Sequence, residues 1–275
     1  LTVSSSLLTE ADRAAYERDG VVCLHGVLGR RWIERLRTAT DEVLATPTAF
    51  VLDSNPNRTS GRFTRDRFLS LANDEFRAFS TRSPIALIAA EAMRSSSLVL
   101  MSDLVFAKEP QTPEPTPWHH DLPYGWSQGR QLCQFWIPLD TVDLPSGTME
   151  FVRGSHRWGK LFNVRSFAAD AGYESTGNEP VPDIDADRAA YDIVHFDMEP
   201  GDCLLFSELT LHAAPGNGTQ RRRRAISLHY AGDDARFLQR EASRLPFTDH
   251  GLRSGDRFES PYFPIVDLTA AAAHG

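Results

Sequence analysis

Beyond residue 97 the chain is punctuated so often that long regular elements have no room. Leu98–Phe106, Leu132–Leu139, Met149–Val152, Ile193–Asp197, Cys203–Phe206 and Ala225–Ala231 are short apolar or alternating segments separated by Pro, Gly and Asp. Proline offers no N–H to a sheet, and Gly and Asp favour turns, so runs bounded this way read as strands. Many short strands bury their faces by closing on one another or by stacking in two layers. The spacing therefore predicts an antiparallel barrel or sandwich.

The first third reads differently. Thr9 before Glu10, Ala11 and Asp12 forms an N-cap with acids in the first turn. A helix is expected to about Arg18, ending at Gly20 and feeding a strand at Val21–Leu24. From Arg30 to Ala45 the apolar residues Trp32, Ile33, Leu36, Ala39, Val43 and Leu44 recur at helical spacing. Residues 47–66 read as a loop, and 74–94 as one or two helices with Ile85, Ala86, Ile88, Ala89 and Met93 facing the core. The expectation is a single domain over 1–275: a helical part at about 9–95, a strand core at about 98–232 and a C-terminal tail at 233–275. The tail is expected to pack across the barrel or a neighbouring subunit. Leu161–Ala190 is a long segment, acidic from Ser166 onward, that reads as a lid or a solvated insertion.

Charge narrows the function. The balance of 29 basic against 37 acidic residues, a net of −8, argues against a general binder of nucleic acid or anionic membranes. No apolar run approaches a membrane span, and Leu1–Leu8 lacks the basic start of a signal peptide. Cys23, Cys133 and Cys203 show no metal or disulfide spacing, and read as reduced thiols of a cytoplasmic protein. A small-molecule substrate is the expected partner, and no oligomeric state follows. Only Lys108 and Lys160 are lysines, so a lysine near a site is unusual here.

The strongest local feature is Trp118-His119-His120-Asp121-Leu122-Pro123-Tyr124. On a strand, side chains two apart share a face, so His119 and Asp121 point together and His120 points away. One imidazole and one carboxylate make two-thirds of a facial metal triad, a donor set suited to Fe(II) with open positions for substrates. His-x-Asp alone recurs by chance. His212, after the Cys203–Phe206 strand, can supply the second histidine. Arg221–Arg224 follow, and alternation puts Arg223, Ala225, Ser227 and His229 on one face and Arg222, Arg224, Ile226, Leu228 and Tyr230 on the other. An arginine opening a strand of small inward residues can form a bidentate pair with a dicarboxylate. His156 reads as structural, and His195 and His229 as core or rim residues. A His120–Asp121 phosphohydrolase pair would need a helix, which Pro123 disfavours.

Three pieces together resemble the phytanoyl-CoA dioxygenase family of Fe(II)/2-oxoglutarate oxygenases. They are His119 to Asp121; Trp136 to Asp140 continuing through Gly147 to His156; and His212 with Arg223 eleven residues later. The resemblance spans roughly 10 to 265. It implies a mainly β fold with flanking helices and a double-stranded β-helix core, the cupin-like jelly roll. It implies Fe(II) on His119, Asp121 and His212, with Arg223 on the distal carboxylate of 2-oxoglutarate and O2 as the other co-substrate. By spacing the anchor is Arg223, though alternation also permits Arg221. Trp136, Lys108 and Ser227 are candidates for the 2-oxoglutarate pocket. A carboxylate at Asp121, where halogenating relatives have a small residue, argues for oxygenation. Hydroxylation of a C–H bond is the default outcome; desaturation, cyclisation and epimerisation occur in relatives. Two alternatives are an inert metal-binding β-helix acting as a binding module and a peptide-directed oxygenase. For the substrate wall, Phe50, Tyr124, Trp126 and Arg153 are candidates. The acidic 166–190 segment leans toward a neutral or cationic molecule, such as an amino-acid derivative or natural-product intermediate.

Overall fold

The computed structural model describes residues 6–53, 61–165, 173–174, 177–240 and 245–272. The chain runs α1 (Glu10–Asp19), β1 (Val21–Leu24), α2 (Arg30–Ala45), β2 (Leu52–Asp53), β3 (Phe63–Arg67), α3 (Asp74–Arg82) and α4 (Pro84–Met93). The strands β4 (Leu98–Lys108), β5 (Thr116–His119), β6 (Ser127–Gln128), β7 (Leu132–Pro138) and β8 (Glu150–Val152) follow. Next come β9 (Val164–Arg165), β10 (Tyr173–Glu174), β11 (Ile193–His195), β12 (Cys203–Ser207), β13 (His212–Ala214) and β14 (Arg223–Ala231). The chain closes with β15 (Arg236–Phe237), β16 (Ile265–Val266) and α5 (Leu268–Ala272).

The larger sheet has the order β1-β12-β7-β14-β4-β3-β2, with β16 also on β4, and the smaller one has the order β11-β8-β13-β5. Every pairing named between these strands is antiparallel. Trp136, Phe206 and Ala225 of the larger sheet meet Phe151 and Ala214 of the smaller one, so the two sheets face each other across an inner cluster. This is an antiparallel barrel of the kind the strand density predicts, in the jelly-roll form that the family resemblance implies.

Alternation decides what each face meets. Ile226, Leu228 and Tyr230 of β14 join Leu36, Phe76, Phe79, Ile85 and Ile88 in the main core, which cements the helices to the outer face of the larger sheet. Each such side chain, once buried, stabilises by about 1.5–3 kcal/mol. The other face of β14 is left for the barrel interior. The tail packs on the barrel: Val266 joins the main core, and Phe258 and Phe263 join a second cluster with Trp126 and Phe68.

Local signals explain the ends of elements. Thr9 and Asp12 close a capping box on α1, and Gly20 ends it in the left-handed region at φ +79°. A Cβ on Gly20 would sit 2.3 Å from His156 Nδ1, so only glycine fits against that ring. His156 also bonds the Glu17 carbonyl, which makes it the structural residue expected. Ser83-Pro84 divides 74–94 into α3 and α4. One expectation fails: residues 47–66 are not simply a loop, because β3 begins at Phe63 and pairs along β4. Its alternation of Phe63, Arg65 and Arg67 was hidden by charge where an apolar residue marks most inward positions. Among the described residues no helix is long and apolar enough to cross a membrane.

Candidate active site

His119 ends β5 and His212 opens β13, and the two are direct partners across the smaller sheet. Their rings lie 4.2 Å apart, centroid to centroid. Asp121 is not on the strand as expected. It lies just past it, in a helical turn (φ −84°, ψ −25°) that leads into Leu122–Tyr124. The Glu208 carbonyl accepts from the N–H groups of both Asp121 and Leu122, at 2.9 Å each, and fixes this turn. The carboxylate still converges: Oδ1 is 3.3 Å from His119 Nε2, and Oδ2 is 3.4 Å from His212 Nε2. One donor atom from each residue lies within 4.8 Å of the others, a group able to hold a metal ion.

The second contacts of the imidazoles favour that role. His119 Nδ1 pairs with the Pro117 carbonyl at 2.8 Å and His212 Nδ1 with the Thr210 carbonyl at 2.9 Å. A carbonyl only accepts, so each Nδ1 carries the proton and each Nε2 presents its lone pair toward Asp121. Burial, reinforced by nearby His119, pushes His212 down to about 3, so its ring is neutral as a ligand must be. Burial drives the Asp121 carboxyl up, but His212 and His119 outweigh it and hold it well below the usual carboxylate range. Gln134 donates to Asp121 Oδ2 from β7. Two neutral nitrogens and one anion, with ordered second contacts, fit Fe(II).

A second cluster adjoins the first on the inner face of the larger sheet. Arg223 and Lys108 are direct partners between β14 and β4. Both are buried. Arg223 Nε has no hydrogen-bond partner, and the guanidinium lies 5.5 Å from the Trp136 ring. Burial lowers Arg223 to about 10, partly offset by Asp140, so it remains charged at neutral pH. Lys108 donates to the Pro215 carbonyl and is held well below its ordinary value, first by burial and then by Arg223, with Glu114 pulling the other way. Its Nζ lies 4.9 Å from the Phe63 ring.

The other arginines of the run are accounted for outside. Arg224 bonds Asp140 and Asp41, and Arg222 bonds Glu109. Arg221 is exposed and lies 3.7 Å from Asp143. Of the two anchors that alternation permits, the structure brings Arg223 inside and leaves Arg221 on the surface.

The remaining candidates divide. Trp136 is buried beside Arg223, and Ser227 pairs with it in register. The Ser227 hydroxyl donates to the Phe135 carbonyl at 2.9 Å, so its one proton is committed. Tyr124 meets the His119 ring edge-on at 5.6 Å. Phe50 and Trp126 both join the aromatic cluster around Phe68. Arg153 is exposed, with Asp192 at 4.0 Å. His120 points away, as alternation predicts, and its Nε2 accepts from Phe162 N at 3.0 Å.

Sequence reasoning missed three residues. Gln134, polar within an apolar strand, was a visible signal. Glu208 acts through its carbonyl on Asp121 and through its carboxylate on His229 Nδ1 at 2.8 Å, a dual role no spacing reveals. His229, expected in the core or rim, shares the inner face with Ser227, and its Nε2 lies 3.4 Å from Ser227 Oγ.

Comparison with known proteins converges on one group. The nematode "Probable phytanoyl-CoA dioxygenase" (Caenorhabditis elegans) is 29% identical over 143 residues, half of this chain but only 44% of that protein. The peroxisomal phytanoyl-CoA dioxygenase of Rattus norvegicus is 22% identical over 250 residues, covering 86% of this chain and 72% of its own. The epimerase SnoN from nogalamycin biosynthesis, solved with Fe3+, alpha-ketoglutarate and nogalamycin RO, superposes with a TM-score of 0.76. That match has 24% identity and covers 94% of this chain and 98% of SnoN. The family described as "Phytanoyl-CoA dioxygenase (PhyH)" matches residues 16–225. The chain therefore belongs to the phytanoyl-CoA dioxygenase family, whose members are Fe(II)- and 2-oxoglutarate-dependent oxygenases.

Proposed function

We propose that this chain oxidises a C–H bond of a small molecule, by default hydroxylating it, while 2-oxoglutarate is converted to succinate and CO2. The observation that carries the reading is a His–Asp–His donor set joined, through the inner cluster of Trp136, Phe151 and Phe206, to a buried Arg223 whose Nε has no partner. Fe(II), when bound, supplies oxygen activation coupled to decarboxylation of the co-substrate.

The chain's own residues orient and exclude. His119, Asp121 and His212 would hold the metal where the smaller sheet pairs β5 with β13. Gln134 steadies Asp121, and the Glu208 carbonyl fixes the turn that aims it. Arg223 receives the distal carboxylate of 2-oxoglutarate in a bidentate pair, with Trp136 as a wall beside it. Lys108 stands beside Arg223 at the same level of the sheet, an amine that an anion bound there would help keep protonated. Tyr124, edge-on to the His119 ring, would border the substrate on that side. The inner cluster of Phe151, Phe206 and Met149 keeps water from the far side of His212. On this reading residues 1–275 act as one oxygenase domain, and the substrate is a natural-product-like intermediate, the class to which SnoN's nogalamycin ligand belongs.

The test is succinate release from 2-oxoglutarate under air. The reading expects release that depends on added Fe(II) and disappears in both His119→Ala and Asp121→Ala. Full turnover in both variants would show that the metal assignment is wrong. A folded wild-type protein that binds Fe(II) yet never consumes 2-oxoglutarate would favour the binding-module alternative.

A further inference from the structure

Arg223 and Lys108 are not the only cations on the inner face. In β3, Phe63, Arg65 and Arg67 register against Lys108, Phe106 and Leu104 of β4. Directly paired residues point to the same side of a sheet, so Arg65 and Arg67 face the way Arg223, Ser227 and His229 do. Asp66, between them, points to the opposite face, where it is fully buried and accepts from Thr48 N at 2.7 Å. It cannot serve the inner side.

Arg67 is the informative residue. Its Nε is buried without a hydrogen-bond partner, and among the described residues its guanidinium makes no ion pair. Burial holds its pKa below the ordinary arginine value. The guanidinium carbon lies 5.8 Å from the ring of Phe68. Phe68 is a buried, bulky residue in the left-handed region at φ +57°, a conformation that costs about 1–3 kcal/mol and persists only where the surroundings demand it. The turn it makes ends β3 and places its ring against Phe50 (5.6 Å), Trp126 (5.8 Å) and Phe247 (4.8 Å). A cation thus stands at the edge of an apolar aromatic wall. Arg67 lies in the row Arg67–Leu104–Ser227–Trp136, two strands from Ser227, or roughly 10 Å between Cα atoms.

The oxygenase reading leaves this cation without a ligand. 2-Oxoglutarate has two carboxylates; one goes to the metal and the other to Arg223. Arg67 is half-buried, its Nε has no hydrogen-bond partner, and the anion that acts on it, Asp66, lies on the opposite face, so the inner side of this guanidinium is open to an oxyanion. We infer that Arg67, backed by Arg65, recognises an oxyanion of the primary substrate, a carboxylate or a phosphonate, whose apolar part lies against Phe50, Phe68, Trp126 and Phe247. The inference deepens the proposed function and rests on it. Two acids of the long segment are already paired. Glu179 is answered by Lys160 at 2.7 Å, and Asp185 by Arg188 and the Trp118 N–H.

The test is anaerobic calorimetry on protein loaded with Fe(II) and 2-oxoglutarate. It is titrated with 3-phenylpropanoate, its methyl ester and 2-phenylethylphosphonate. An oxyanion probe should bind at least about tenfold tighter than the ester. Arg67→Gln should erase that preference, and Arg67→Lys, which keeps the charge but loses the planar fork, should retain only part of it. Arg222→Gln, on the outer face, should leave it intact. Ester and acids binding alike in the wild type, or a full preference surviving in Arg67→Gln or Arg67→Lys, would overturn the inference. The phosphonate arm decides which oxyanion the site prefers. Failure of the loaded protein to bind 2-oxoglutarate at all would overturn the oxygenase reading, and this inference with it.

Discussion

Two buried polar clusters lie in one barrel, and they carry charge of opposite sign. Around Asp121 one carboxylate sits between two imidazoles and takes a bond from Gln134, while the Glu208 carbonyl fixes the turn that carries it. Around Arg223 the charge is positive. Two cations, Arg223 and Lys108, are partners in register, and neither makes an ion pair among the described residues. Burying an uncompensated charge costs several kcal/mol, so a fold that keeps two of them is incomplete without an anion. On the proposed reading the first cluster receives a cation and the second an anion. A metal and a dicarboxylate that chelates it satisfy both together.

The comparison breaks most severely at its shared carboxylate. Asp121→Ala removes the one anion of the donor set. We expect kcat/KM to fall about 1,000-fold or more, about 4 kcal/mol, with Fe(II) affinity lost in the same variant. Steady-state succinate formation and iron titration check this. Arg223→Gln attacks the other cluster alone. The KM for 2-oxoglutarate should rise about 100-fold, or about 2.7 kcal/mol, while Fe(II) binding stays. Arg223→Lys should recover only part, because an ammonium cannot form the fork-like pair.

A subtler test uses pH. Lys108 is held below its ordinary value of 10.5, so between its folded value and 10.5 the unfolded chain binds more protons than the folded one. Stability therefore suffers the full penalty below the folded pKa and regains it as pH rises toward 10.5. Lys108→Met removes the term. Denaturant titrations of the two proteins without 2-oxoglutarate should show the variant more stable at neutral pH, by about 1 kcal/mol or more, and the gap should narrow as pH rises. Saturating 2-oxoglutarate should shrink the gap at neutral pH by giving Lys108 an anion. The smallest effect is expected one residue from Arg223. Arg224 already pairs with Asp140 and Asp41 on the outer face, so Arg224→Gln should cost no more than about 1 kcal/mol and leave the KM for 2-oxoglutarate unchanged.

Much of this was legible in the chain itself, because the signals were local. Strand density predicts an antiparallel barrel or sandwich, the family resemblance implies the jelly roll, and alternation along Arg222–Tyr230 separates the inner from the outer arginines. What stayed hidden depends on backbone groups or on charge in unexpected places. Asp121 reaches the triad through a turn held by the Glu208 carbonyl, and no side-chain pattern encodes a carbonyl's position. β3 reads as loop in the sequence because its inward positions include Arg65 and Arg67 where a half-buried strand ordinarily shows apolar residues. Arg153 looked available because sequence carries no distance; in the structure it reaches Asp192 at the surface.

The central claim is that the two clusters are halves of one site, and one anaerobic titration tests it. Fe(II)-loaded protein is mixed with increasing 2-oxoglutarate while the visible spectrum is followed. Chelation of the metal by the co-substrate gives a weak charge-transfer band. The account predicts that the band saturates in the wild type and that Arg223→Gln, with its iron still bound, needs about 100-fold more 2-oxoglutarate to reach it. A wild-type protein that binds iron and shows no band, or an Arg223→Gln curve that overlays the wild type, would contradict it.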